Sequence, residues 1–145
     1  MGFLSSMDIS ASGLTANRMR MDTISQNLAN ANTTRTADGG VYRRRVTVFT
    51  ERKSSTFGWY YRNAKSATRG HGVSATAIVD DTTDLKVVYD PTHPDADAEG
   101  YVTYPNVDEL VEMVDMMAAS RAYEANVTAL NAAKAMATKA LEIGR

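Results

Sequence analysis

Apolar residues recur at intervals of seven positions through the first 30 residues of the chain. This spacing keeps them on one stripe of an α-helix, and turn-prone residues from Asn30 to Thr34 end the pattern. We therefore predict an N-terminal helix of about 25 residues. The repeat consists of Met7, Leu14, Met21 and Leu28.

A second and longer helical pattern occupies the C-terminal end of the chain. Ten of the 23 residues from 118 to 140 are alanine, the strongest helix former. Asn106 follows Pro105 and is a residue type that often caps a helix N-terminus. The pattern predicts a helix from about residue 107 to 143, which at 1.5 Å a residue is about 55 Å long. Its apolar seam contains Met113, Met116, Tyr123, Val127, Leu130, Ala137 and Leu141.

Short stretches rich in valine, tyrosine, threonine and phenylalanine lie between the two helical segments. Glycine and proline separate these stretches, as is typical of strands joined by turns. The expected strands are 41–51, 73–79, 86–89 and 101–104. The predicted fold class is mainly α with a small β region, in which the two terminal helices pair as an elongated, coiled-coil-like hairpin.

Three segments follow from this pattern. Residues 1–34 are the N-terminal helix of an assembly domain, residues 35–104 a β-rich middle region, and residues 105–145 the C-terminal helix of the assembly domain. A compact domain of this length has a radius of gyration of only about 15 Å, so the long helix makes the protein elongated. Because two helices alone bury little of their apolar seams, we expect much of each seam to contact other chains.

Length and composition narrow the classes of function. The 145 residues amount to about one domain, and the absence of cysteine excludes disulfide scaffolds, thiolate zinc sites, iron–sulfur clusters and cysteine nucleophiles. No apolar run approaches the roughly 18–20 residues of a membrane helix, so we expect no direct membrane insertion. The N-terminus has no basic region and reaches Asp8 at once, unlike a cleavable secretory signal peptide.

The net charge of −1 hides a strong segregation of charge along the chain. Residues 41–72 carry eight basic residues and one acidic residue, whereas residues 80–115 carry eleven acidic residues and one basic residue. These two stretches could meet between neighbouring copies, in a contact that propagates helically, or they could pair within one chain. Charge alone does not favour either arrangement.

No motif for catalysis or metal binding stands out. Residues 95–100 resemble the opening of a calcium loop, but the twelfth position is Asn106 instead of the required glutamate, which favours a solvated acidic loop. His71 and His93 are isolated in glycine- and proline-rich surroundings without further ligands at a recognisable spacing. We therefore expect no catalytic residue, no metal ion and no cofactor.

A basic and aromatic strip offers an alternative function. Arg43, Arg44 and Arg45 precede a run of aromatic residues, and the strip from 43 to 69 could neutralise and stack a single-stranded nucleic acid. No motif of an established nucleic-acid-binding module accompanies it, which favours a strand edge or a protein contact. A nucleic-acid-binding module is therefore the alternative hypothesis, and the favoured hypothesis predicts no nucleic-acid partner.

Several motifs resemble those of the bacterial flagellar rod and axial protein family. The run from Asp8 through Ser12-Gly13-Leu14 to Asn27-Leu28-Ala29-Asn30 and Thr34 is similar to the opening of these proteins. Segments 90–97, 112–117, 119–126 and 132–136 are similar to those of subunits of the proximal rod of the basal body. These matches cover both ends of the chain and the stretch from Asp90 onward, whereas residues 43–88 contribute little.

This resemblance implies a structural, non-enzymatic subunit of the flagellar basal-body rod. Members of the family are exported by the flagellar type III export apparatus without a cleaved signal peptide. They assemble through their terminal helices into a helical tube that crosses the periplasm and transmits torque. The implied partners are therefore the chain itself, other flagellar rod proteins and the export apparatus.

The expected assembly interface combines residues of both terminal helices, and the same faces could pack within one subunit as well as between subunits. The N-terminal members are Met7, Ser12, Gly13, Leu14, Met21, Asn27, Leu28, Ala29 and Asn30. The C-terminal members are Met113, Met117, Tyr123, Asn126, Val127, Leu130 and Leu141.

Overall fold

The computed structural model of the chain describes residues 3–37, 39–52 and 71–143. Two long helices lie at the ends of the chain and four short strands lie between them, which confirms the predicted fold class. The elements are helix α1 (Phe3–Ala29), strands β1 (Arg45–Glu51), β2 (Val73–Asp80), β3 (Lys86–Tyr89) and β4 (Tyr101–Tyr104), and helix α2 (Glu109–Ile143).

The two helices pack against each other in antiparallel orientation. Gly13, in the first half of α1, lies against Asn126 in the middle of α2, while Asn27 near the end of α1 donates a hydrogen bond to Glu112 at the start of α2. With 35 residues, α2 is about 52 Å long and extends past the beginning of α1.

Helix α2 is capped by a different residue from the one that the sequence suggested. The Asp108 carboxylate accepts a hydrogen bond from the backbone N–H of Leu110 at 3.0 Å, which is the contact of an N-cap. The prediction that Asn106 is the N-cap was wrong. Its side chain instead accepts from the backbone N–H of Arg44 at 2.8 Å and donates to the Thr83 hydroxyl at 2.7 Å.

Strands β1 and β2 form a two-stranded antiparallel sheet beside α1. Arg45 pairs with Asp80 and Glu51 with Val73, and a bulge interrupts the register after Val48. The expected strands in this region are confirmed, although β1 begins at Arg45 and not at residue 41.

Helix α1 lies between this sheet and α2. The Thr47 hydroxyl donates to the Thr23 hydroxyl at 2.9 Å, and the backbone N–H of Val73 donates to Ser12 Oγ at 3.1 Å. Since α1 is covered on two sides and α2 on one, more of the surface of α2 remains exposed.

Strands β3 and β4 form a second antiparallel sheet, in which Lys86 pairs with Tyr104 and Tyr89 with Tyr101. The Lys86 ammonium donates to the backbone carbonyl of Val107 at 2.7 Å, which ties the sheet to the segment just before α2. This sheet therefore lies at the end of the helix pair where α1 finishes and α2 begins.

The apolar core is small and lies at this same end. Ala31, Tyr42 and Val107 form its buried cluster, and Val102 is also fully buried. Among the residues that the structure describes, Glu112 has the largest fully buried side chain, so a polar group occupies a position that a large apolar side chain usually takes. Within the described ranges, no helix is both long and apolar enough to cross a membrane.

Candidate assembly surfaces

The face of α2 that contacts α1 carries small and polar side chains. Its buried members are Glu112, Ala119 and Ala133, spaced at intervals of seven and fourteen residues. Alanine lets the two helix backbones approach closely, and Gly13 of α1 has the same effect: a Cβ atom at this position would lie 2.8 Å from Oδ1 of Asn126. The helix pair is therefore held by close approach and polar contacts and buries few large apolar side chains.

A buried polar knot, formed by Asn27, Tyr42, Arg44 and Glu112, joins the helix pair to the start of β1. Asn27 Nδ2 donates to Glu112 Oε2 at 3.0 Å and to the Arg45 backbone carbonyl at 2.9 Å. Asn27 Oδ1 accepts from the Tyr42 hydroxyl and from the Arg45 backbone N–H, both at 2.9 Å. The Asn27 amide thus makes all four of the hydrogen bonds that it can make.

The Arg44 guanidinium neutralises the buried carboxylate of the polar knot. Arg44 Nε donates to Glu112 Oε1 at 2.6 Å, and its other nitrogens lie 3.4 Å from Asp115 and 3.6 Å from Asp81. Burial alone lowers the pKa of Arg44, but the hydrogen bond and charge of Glu112, with Asp115 and Asp81, outweigh it and raise this pKa. Burial is also the main reason that the pKa of the Tyr42 phenol is raised.

The Ser12-Gly13-Leu14 motif joins three elements of the fold. Ser12 Oγ donates to the backbone carbonyl of Ile9 at 2.7 Å and accepts from the N–H of Val73, so it attaches the start of β2 to α1. Gly13 meets α2 on another side of the same helix. The motif therefore positions both the sheet and α2 on α1.

The opposite face of the first two turns of α2 carries an apolar strip, defined by Leu110, Met113, Val114 and Met117. These residues are 69%, 48%, 54% and 55% exposed, respectively. Their spacing of three and four residues puts them on one side of the helix, facing away from the buried Glu112 and Ala119. Four neighbouring apolar side chains on the outside of a helix are typical of a surface that contacts another chain.

The heptad positions of α1 are not its most buried positions. Met7, Leu14, Met21 and Leu28 are all partly exposed. The buried residues of the helix are Ala16, Thr23, Ile24 and Asn27.

The predicted interface residues divide into three groups by exposure. Asn27 is buried in the polar knot. The exposed members are Ala29, Met113, Met117 and Leu141. The partly exposed members are Met7, Ser12, Gly13, Leu14, Met21, Leu28, Asn30, Tyr123, Asn126, Val127 and Leu130.

Sequence reasoning named Asn27 as an interface residue but did not connect it with Tyr42 and Glu112, and it named only two of the four residues of the strip. Nothing local indicates that Arg44 folds onto Glu112 from 68 positions away. The signal for Leu110 and Val114 was present, since they continue the spacing of Met113 and Met117.

The acidic loop uses its carboxylates within the loop and on its neighbours. Asp97 Oδ1 accepts from the backbone N–H groups of Glu99 at 2.9 Å and Tyr101 at 2.8 Å, and Asp95 lies 2.7 Å from the guanidinium of Arg35. Among residues 3–37, 39–52 and 71–143, no group of three or more histidine and acidic side chains is placed to hold a metal ion.

The first three arginines of the basic strip contact other residues of the same chain. Arg44 pairs with Glu112, Arg45 lies 3.4 Å from Asp80, and Arg43 donates to the backbone carbonyl of Asp81 at 3.4 Å. The basic and acidic stretches therefore pair within one chain at Arg44 and Arg45. The aromatic part of the strip, residues 57–61, lies outside the described residues.

Comparison with known proteins adds two family matches and a set of relatives of similar length. A family model described as "Flagella basal body rod protein" matches residues 7–35, and one described as "Flagellar basal body rod FlgEFG protein C-terminal" matches residues 98–143. These two ranges cover most of α1 and all of α2, the two elements that carry the surfaces above.

Curated relatives align with almost the whole chain. "Flagellar basal-body rod protein FlgC" of Bacillus subtilis is 49% identical over 97% of both chains. The FlgC protein of Borreliella burgdorferi is 46% identical over 99% of this chain and 98% of its own. The protein of the same name from Escherichia coli is 39% identical over the full length of both. The chain therefore belongs to the FlgC family of flagellar basal-body rod proteins.

Proposed function

We propose that the chain is a structural subunit of the flagellar rod that assembles, through its two terminal helices, with copies of itself and with other rod proteins. The resulting helical tube crosses the periplasm and transmits torque. The apolar strip on α2 carries this proposal, because four neighbouring apolar side chains on the outside of a helix favour contact with another chain. The names of the relatives, all basal-body rod proteins, support the same role.

The strip is too small to hold two chains together by itself. Complete burial of an apolar side chain contributes about 1.5–3 kcal/mol, and association costs about 4–15 kcal/mol in lost freedom of motion. One strip therefore roughly balances the cost of one contact. Stable association needs several surfaces to be buried together, as happens when a subunit has several neighbours in a helical assembly.

The proposed interface uses the predicted residues in two ways. The exposed members Ala29, Met113, Met117 and Leu141 contact neighbouring subunits directly. Asn27 acts indirectly, because its hydrogen bonds hold α1, β1 and α2 in one arrangement. The partly exposed members contribute the edges of the same surfaces.

A structural role without catalysis fits the chemistry of the described residues. The charged side chains of the polar knot, the buried Glu112 and the partly exposed Arg44, are paired with each other and join β1 to α2. Secretion by the flagellar type III export apparatus, without a cleaved signal peptide, belongs to the same proposal. A chain with no cysteine can be unfolded for export without a disulfide to reduce.

The alternative of nucleic-acid binding is not supported by these relatives. Arg44 and Arg45 already pair with carboxylates of their own chain, which leaves them less able to bind phosphate groups.

A matched pair of double variants tests the proposal. Met113→Asp with Met117→Asp places two charges in the strip. Asn131→Asp with Ala135→Asp places two charges four residues apart on an exposed, more C-terminal part of the same helix. We expect the first to raise the protein concentration for half-maximal association at least about tenfold, equal to about 1.4 kcal/mol, and the second to change it little.

Sedimentation velocity over a range of protein concentrations, with and without added rod proteins, measures association. Motility of cells that carry only the variant subunit gives an independent readout. Equal association by the two double variants and the unmodified chain would contradict the strip as an assembly surface. A chain that stays monomeric under every condition would contradict assembly itself.

A further inference from the structure

Two of the four residues of the apolar strip are methionines. Met113 and Met117 lie one helical turn apart on the same side of α2, and both thioethers belong to exposed side chains. We propose that these two residues are an oxidation site at which a hydroperoxide converts each thioether to a sulfoxide and thereby blocks assembly of the free subunit. The effect on assembly rests on the proposed function, whereas the choice of these two residues follows from the solvent exposure of their side chains.

Exposure distinguishes these methionines from others in the chain. Met19, Met21 and Met116 are partly covered, which limits the approach of an oxidant to their sulfur atoms. Met136 is 65% exposed but lies outside the strip, between alanines in the C-terminal third of α2. The chain therefore contains two kinds of control: partly covered methionines, and an exposed methionine outside the apolar strip.

The reaction needs only the thioether and the peroxide. A lone pair of the methionine sulfur attacks one oxygen of hydrogen peroxide, the S–O bond forms and the O–O bond breaks. The departing hydroxide takes the proton left on the transferred oxygen and leaves as water. The sulfur atom is oxidised by two electrons and the peroxide is reduced by two, so no further reactant is required.

The product is unsuited to an apolar contact. A sulfoxide oxygen is a strong hydrogen-bond acceptor, and burying it without a donor is unfavourable. The neighbouring side chains of the strip, Leu110 and Val114, are hydrocarbon and offer no donor. Two sulfoxides therefore leave only half of the strip apolar, and a contact that roughly balances its own cost becomes unfavourable.

Oxidation at these positions leaves the subunit folded. Met113 and Met117 face away from α1, and the buried residues that hold α2 in place, Glu112 and Ala119 among them, lie on the other side of the helix. Association is thus lost without unfolding. Assembly in turn covers both thioethers and protects them, so the free subunit is the sensitive form.

The first experiment maps the site in the full-length chain. The unassembled protein is treated with millimolar hydrogen peroxide for increasing times, and peptide mass spectrometry follows each methionine. We expect Met113, Met117 and Met136 to be oxidised several times faster than Met19, Met21 and Met116. Equal rates for the two groups would overturn the proposed site.

The second experiment measures association after the same treatment. We expect oxidation of the unmodified chain to raise the concentration for half-maximal association at least about tenfold, with an unchanged circular dichroism spectrum. The variant Met113→Leu with Met117→Leu is compared with itself before and after treatment, whatever its untreated association, and peroxide should change its concentration for half-maximal association less than about twofold. Met136→Leu should lose association on treatment like the unmodified chain. Treatment with methionine sulfoxide reductases should restore association of the unmodified chain.

The outcomes separate this inference from the proposed function. If the untreated chain associates, and oxidation of Met113 and Met117 leaves its association unchanged, the inference is overturned and the proposed function still stands. Loss of association that the Met113→Leu, Met117→Leu variant shares also overturns it, because the sensitive group then lies elsewhere. Untreated chain that never associates overturns both.

Discussion

The two faces of helix α2 distribute polar and apolar side chains in the opposite way from a helix of an isolated globular protein. The face toward α1 carries Glu112, which is fully buried, and small residues such as Ala119. The face toward solvent carries the apolar strip with Leu110 and Met113. An amphipathic helix usually buries its large apolar residues, so the apolar face of α2 is suited to a partner outside this chain.

The two faces of α2 therefore have different roles. The inner face determines how α1, β1 and α2 fit together, because hydrogen bonds and close backbone approach demand one geometry. The outer face contributes free energy only when another chain covers it. Changes on the inner face should therefore appear as lost stability of the subunit, and changes on the outer face as lost association.

The largest effect is expected from removing the buried carboxylate. Glu112→Ala leaves the Asn27 amide and the Arg44 guanidinium without their buried partner, and we expect the free energy of unfolding to fall by about 3 kcal/mol. Urea denaturation followed by circular dichroism measures the loss. Glu124→Ala, at an exposed position of the same helix, is the control and should change stability by no more than about 0.5 kcal/mol. Equal losses in the two variants would contradict the role of the polar knot.

A larger side chain on the inner face is expected to have the next largest effect. Ala119 is fully buried against α1, so Ala119→Leu forces the helices apart and should reduce the free energy of unfolding by about 2 kcal/mol. Ala118→Leu, one position away and exposed, adds the same atoms in open space and should be close to neutral. Thermal unfolding of both variants measures the difference, and similar melting temperatures would show that the inner face is loosely packed.

Removing the phenolic hydroxyl of the knot should reduce the free energy of unfolding by a smaller amount, and the reduction should depend on pH. Tyr42→Phe loses one hydrogen bond to Asn27, and we expect it to cost about 1 kcal/mol at neutral pH. Because burial raises the pKa of Tyr42 above 10.0 in the folded chain, its contribution is present below pH 10 and lost as the pH rises through the folded value. Urea denaturation at a series of alkaline pH values measures this loss. The free energy of unfolding should fall less steeply with rising pH in Tyr42→Phe than in the unmodified chain. If the free energy of unfolding fell equally steeply in both proteins, titration of Tyr42 would be excluded as the cause of the loss of stability at alkaline pH.

The smallest effect on stability is expected in the strip. Leu110 is 69% exposed, so Leu110→Asn should change the free energy of unfolding by no more than about 0.5 kcal/mol. Association should nevertheless weaken, because the strip loses an apolar side chain that a neighbour would cover. Urea denaturation and sedimentation velocity of the same variant measure the two quantities. A variant that unfolds more easily but associates normally would reverse the assignment of the two faces.

The helices and strands could be predicted because their signals are local. Richness in valine, tyrosine and threonine, with turn residues on either side, indicated strands at 86–89 and 101–104, and the structure places β3 and β4 at those residues. Spacing also indicated an apolar stripe on α1, but it could not show which side would be buried deepest. Thr23 and Asn27 became buried because β1 and the knot cover that side of the helix.

The residues of the exposed apolar strip could be predicted in part for the same reason. Met113 and Met117 stand out by spacing, and the structure places both in the exposed strip. Glu112 lies beside Met113 in the sequence, yet it points to the interior and pairs with a distant arginine. Contacts between positions far apart in the chain leave no periodic signal in either segment.

The sequence by itself determined that the chain has two long terminal helices, a small β region, no cysteine chemistry and the motifs of a rod protein. These properties depend on local periodicity, composition and short motifs, all of which can be read along the chain. Only the tertiary structure decided that the basic and acidic stretches meet within one chain at Arg44, that Asn27 joins three segments, and that α2 turns its apolar side outward. Those outcomes depend on which faces come together when α1 packs between the sheet and α2, and that choice is made by the whole fold.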